Sequence, residues 1–163
     1  MSEIKFDVNN FHIPRWNELP NIDLYMDQVL NYIESCLKDY IKSDEKIITK
    51  TMINNYVKQG IILAPENKKY TRLHIAELFV ICILKQVYSI SEIKDLISLA
   101  LKTNSAENSY NRFCDYLTEC MLSTFNGTEY SNNSNYTKEQ YLLKNTVQSF
   151  ANKLYVQITY LNK

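Results

Sequence analysis

Lys50, Thr51, Asn54, Asn55 and Lys58 recur at short helical steps, and Lys68, Lys69 and Arg72 follow a little further on. Ammonium and guanidinium groups attract phosphate, while carboxamides and hydroxyls match the donors and acceptors on base edges. The chemistry this set offers is capture of a nucleic-acid backbone, with polar side chains left over for reading a groove. Charge is distributed accordingly. The chain has 18 basic and 18 acidic residues, yet residues 46 to 75 hold six cations against Glu66 alone, a net of +5. Residues 1 to 45 come to −5, and the segments 76 to 125 and 126 to 163 come to −2 and +2.

Elements must hold these groups in place. Thr49 reads as an N-cap, because its hydroxyl can accept from an amide two or three residues on, and Gly60 is a natural residue just past the end of the helix it starts. Met52, Ile53, Tyr56 and Val57 share one side of that helix, which turns Lys50, Thr51, Asn54, Asn55 and Lys58 toward solvent or a ligand. Ile61 to Leu63 is short and apolar, and Pro65 to Lys69 is a loop, so the stretch predicts a strand entering a hairpin with Tyr70 on the return. Such a wing would carry Lys68 and Lys69 to phosphates while the helix enters a major groove.

The remaining chain is helical in pattern. Pro14 and Pro20 make an extended lead-in, with Ile13, Trp16 and Leu19 strapped across the core. Asn21 or Asp23 is expected to cap a helix that ends at Ser43–Glu45. Thr71 opens a nearly continuously apolar central helix, and Ser89 or Ser91 opens a shorter one. Helices are expected over about 105 to 125 and 137 to 161, separated by a polar Asn/Ser loop around Gly127 and residues 131 to 135.

Other chemistries find little support. Gly60 and Gly127 are the only glycines, so no glycine-rich loop exists to cradle a phosphate. His12 and His74 are isolated and read as packed or solvated side chains. Cys36, Cys82, Cys114 and Cys120 lack zinc spacing and are expected to be free thiols. We therefore expect no catalytic residues, no cofactor and no metal. No apolar run is long enough to span a membrane, and the stretch MSEIKFDVNN lacks a basic region followed by an apolar one, so the expectation is a cytoplasmic protein. Glycosylation-type tripeptides at Asn126, Asn132 and Asn135 then arise from composition alone.

Two resemblances follow from these residues. The stretch from Ile48 to Ile97 is similar to the winged-helix DNA-binding half of MerR-type regulators: Thr49, Tyr56, Gly60, Ile61, Ile62, Pro65, Tyr70, Leu78, Ile90, Glu92 and Ile93 occupy matching positions. Asn54 and Asn55 depart from it, since that family carries an arginine and a second aromatic there. The resemblance implies a phosphate contact for Tyr56, whereas its spacing with Met52 and Ile53 makes it a core residue. Over roughly residues 11 to 110, the chain also resembles the bacterial domain-of-unknown-function family eighteen thirty-six, which implies a MerR-like fold.

The expected fold is mainly α: a MerR-like winged helix-turn-helix with a small β-hairpin wing and a C-terminal helical extension. Residues 1–104 would form the winged-helix domain with its strap and first helix, and residues 105–163 a helical pair packed on the same core or beside it. The expected function is DNA-binding transcription regulation, with double-stranded DNA contacted by Lys50, Thr51, Asn54, Asn55, Tyr56, Lys58, Lys68, Lys69 and Arg72. With so few cations, specific binding needs two copies on a pseudo-palindromic site, hence a homodimer, through the C-terminal helices. The alternative is a non-enzymatic protein-interaction module that keeps the scaffold without binding a duplex. A small-molecule effector is left open.

Overall fold

Residues 6–129 and 135–161 are described by a computed structural model. Asn132 and nearly all of the expected 131–135 loop lie outside them. Six helices make up most of the chain: α1 (Met26–Leu37), α2 (Lys50–Lys58), α3 (Arg72–Leu84), α4 (Ile90–Thr103), α5 (Ala106–Phe125) and α6 (Lys138–Val156). Two short strands, β1 (Leu24–Tyr25) and β2 (Lys69–Tyr70), pair antiparallel. Among the described residues, no helix is long and apolar enough to cross a membrane.

Helix starts follow local chemistry closely. Thr49, Thr71, Ser89, Ser105 and Thr137 stand at the N-caps of α2 to α6, and each side chain accepts from the amide three residues on. Each removes an orphan donor that the helix cannot satisfy internally, worth about 1 kcal/mol. Past α2, Gly60 takes a φ of +71°, which side-chain-bearing residues rarely adopt. The last helix is shorter than its periodicity suggests, giving way to wider turns over Gln157–Leu161.

Packing centres on α3. Leu78, Phe79, Ile81 and Cys82 are wholly buried, and only the Arg72 and Glu77 positions interrupt the helix's apolar character with charge. One buried cluster runs from Val8 to Leu154, so the strap, α1 and the C-terminal helices share a core. α5 clasps the strap. The Tyr110 hydroxyl donates to the Pro14 carbonyl at 2.6 Å, the Trp16 amide donates to Asn111 Oδ1 at 2.9 Å, and Arg15 pairs with Asp115.

Two expectations are corrected here. The segment 61–63 is not a strand: Ile61 and Ile62 are buried without a ladder partner, and the Leu63 carbonyl accepts instead from His74 Nε2 at 3.0 Å. His74 can donate there because its Nδ1 accepts the Thr71 amide at 3.0 Å, which fixes the tautomer. What returns from the loop is β2, and it pairs with β1: Leu24 faces Tyr70, and Tyr25 faces Lys69. The hairpin shrinks to one tight turn. The Lys69 amide donates to the Glu66 carbonyl at 2.9 Å, with Asn67 at φ 51° and Lys68 at φ 61° between them. Two left-handed central residues are the signature of a type I′ turn.

The second correction concerns α1. Neither Asn21 nor Asp23 caps it, because Leu24 and Tyr25 are held extended by β2, and the helix starts only after them, with the Tyr25 amide donating to Gln28 Oε1. α1 also stops at Leu37, short of the expected Ser43–Glu45 boundary.

Candidate nucleic-acid interface

α2 is short and divided. Ile53 and Tyr56 are buried, Met52 and Val57 are half-buried against the core, and Lys50, Thr51, Asn54, Asn55 and Lys58 are all exposed. The division follows from the 3.6-residue repeat acting on the sequence KTMINNYVK. No acid stands anywhere on the helix.

The turn after it adds Lys68, fully exposed, and Lys69, half-buried. Lys69 Nζ sits 5.3 Å from the centre of the exposed Tyr25 ring, a cation–π arrangement across the β1–β2 pair. A third element contributes at the far end of α2: Lys94 of α4 donates from Nζ to the Gln59 carbonyl at 3.0 Å. An ammonium there complements the negative end of the α2 dipole. The ion pairs of His12 with Glu18 and of Arg15 with Asp115 involve none of these cations, and among the described residues Lys50, Lys58, Lys68, Lys69 and Lys94 have no carboxylate within ion-pairing distance. The acids of the first forty-five residues do not neutralise them.

Two expected contacts fall away from this surface. Tyr56 is only 5% exposed, and burial pushes its hydroxyl up to about 12, which makes it a core residue of α2. Its i, i+3 spacing from Ile53 put it on the inner stripe. Arg72 is half-buried at the first turn of α3: Nη2 donates to the Leu19 carbonyl at 3.4 Å, and Nε is enclosed without a partner. Its guanidinium is directed at the strap rather than at a polyanion.

Tyr25 and Lys94 join the surface without having been anticipated. Tyr25 arrives through its pairing with Lys69, 44 positions on, which no local pattern announces. Lys94 lies on α4, beyond the basic stretch of residues 46 to 75. Elsewhere the chemistry is muted: burial pushes the thiols of Cys82, Cys114 and Cys120 up to about 12, so at neutral pH they are protonated and poorly nucleophilic. Among the described residues, no three His, Cys, Asp or Glu side chains group as a metal site.

The family described as domain of unknown function DUF1836 matches residues 14–117, and the chain belongs to that family. No curated protein and no solved structure matches it. The matched span takes in the strap, both strands and α1 to α4, together with the strap-facing half of α5.

Proposed function

Starting from a family whose description carries no activity, we propose that this chain is a non-enzymatic DNA-binding regulator built on a MerR-like winged helix. The exposed face of α2 lies in the major groove; Lys50, Lys58 and the turn lysines Lys68 and Lys69 engage phosphates, and Thr51, Asn54 and Asn55 face base edges. One observation supports this above the others. Lys50, Lys58 and Lys68 are exposed, Lys69 is half-buried beside them, and none of the four has an ion-pair partner among the described residues, on a surface with Glu66 as its nearest acid in sequence.

Such a patch binds weakly as one copy. Each phosphate neutralised adds roughly 0.9 to the slope of log K against log salt, so four lysines give a slope near −4. Two copies on a two-fold site double it, and exposed Tyr141, Tyr155 and Val156 on α6 offer apolar surface for pairing.

The test is a titration of genomic fragments at several salt concentrations, with wild type and a Lys50/Lys58/Lys68/Lys69→Gln variant. The reading requires wild-type retention that falls steeply with salt, and a variant that loses most of its affinity along with about four units of slope per subunit. Equal, negligible retention of DNA by both proteins would defeat it. A second reading, a protein-interaction module on the same scaffold, draws support from Ile22, Tyr25 and Leu63, large apolar side chains exposed around β1 and the segment after α2.

A further inference from the structure

The four helices α3 to α6 enclose a cavity of about 130 Å³, remote from the α2 surface, and its walls are almost wholly apolar: Leu73, Val80, Leu96, Ile97 and Phe113 among them. Exposed Leu99 and Leu101 of α4 and Leu142 of α6 stand at its rim, so it opens to solvent between these two helices. An apolar cavity of roughly 150 Å³ stays dry and accepts a benzene-sized guest. This one suits a single compact hydrocarbon group.

One wall residue breaks the pattern. Glu77 stands in the middle of α3, half-buried, and among the described residues it has neither a hydrogen bond nor an ion pair. The hydroxyls lining the cavity already donate elsewhere: Thr103 and Ser109 to the Ala100 carbonyl, Thr146 to that of Leu142, and Tyr110 to that of Pro14. The other charged groups lining the cavity are Arg112 of α5 and Glu139 of α6, and α4 supplies none. Burial alone raises the Glu77 carboxyl, to about 7, with no contribution from Arg112. Leaving an acid unpaired in an apolar wall costs stability, and a cation in the cavity would recover it.

We propose that the α3–α6 cavity is a binding site for a small amphipathic organic cation, with a compact aromatic or aliphatic group among the leucines and an ammonium group on the Glu77 carboxylate. Charge complementarity selects this occupant, since a purely apolar one would bury Glu77 without pairing it. The site is independent of the DNA reading and stands or falls separately.

Calorimetric titrations with benzylamine and its neutral counterpart, benzyl alcohol, test it at about pH 8. The wild type should prefer the amine about tenfold, and Glu77→Gln should remove that preference while leaving benzyl alcohol unaffected. Ala100→Leu, which fills the cavity, should abolish binding of both. In the wild type alone, amine affinity should rise about tenfold between about pH 5.5 and about pH 8 as Glu77 ionises, which keeps the test decisive if a variant misfolds. An amine bound no better than the alcohol, or a pH-independent affinity, would overturn the proposal. So would a wild-type dimer that Ala100→Leu dissociates, because the cavity would then be covered by a second copy.

Discussion

α2 and α3 follow one another in the chain and divide their residues in opposite ways. α2 commits Ile53 and Tyr56 to the core and leaves five polar side chains outside, whereas α3 buries nine of its thirteen residues. The first helix is held by neighbours and is free to carry recognition chemistry; the second holds the neighbours and carries almost none. Stability and contact with a partner are thereby separated onto adjacent elements, and substitutions on one should leave the other's property intact.

The largest effect that would sharpen this contrast is Phe79→Ala. Removing a wholly buried ring from α3 should destabilise the protein by about 3–5 kcal/mol, whereas Asn54→Ala on α2 should shift stability by less than about 0.5 kcal/mol. Denaturant melts of the two variants measure both, and comparable losses would break the division.

Next in size is Glu77→Gln, which probes the one place where α3 departs from its structural role. The folded carboxyl ionises near 7 against 4.5 for the ordinary group, so the folded state holds the proton more tightly than the unfolded chain does. Stability contributed by the protonated form is complete below about pH 4.5 and is lost as pH rises toward 7. The variant should accordingly be more stable than wild type above about pH 7, by on the order of 2 kcal/mol, and nearly equal to it at about pH 4. Thermal melts across this range would show a difference that grows with pH; a constant offset would contradict the assignment.

Gly60→Ala has a smaller effect than either Phe79→Ala or Glu77→Gln. A methyl group there would meet only Lys94 Nζ at 3.6 Å, ordinary contact, so the cost is that of the left-handed backbone, about 1 kcal/mol. It should lower the melting temperature by a few degrees while leaving the polar face of α2 unaltered.

Much of this architecture is written locally and could be read that way. Thr49, Thr71 and Ser89 announce their helices because a cap is satisfied within three residues, and Gly60 marks an end because only its own φ is at issue. The exposed set on α2 was legible for the same reason, as a consequence of helical period. The β1–β2 pair was not. Strands two residues long have no alternation to detect, and the apolar run at 61 to 63, β-branched at Ile61 and Ile62, drew the strand assignment to the wrong segment. Arg72 was misplaced because its charge is visible in sequence, whereas the Leu19 carbonyl that receives it is fixed only by the fold. Glu77 lay in plain view as an acid within an apolar helix, but its significance depends on three other helices leaving a space beside it.

The clasp between the strap and α5 also bears on how the chain acquires its structure. Tyr110, Asn111 and Asp115 grip residues 95 to 100 positions earlier, so the strap finds these partners only after α5 has been made. At about 5–20 residues per second, Pro14 to Trp16 wait several seconds or more for α5, leaving the apolar underside of the nascent helices open to chaperones in the interval. The clasp itself therefore closes no sooner than α5 arrives.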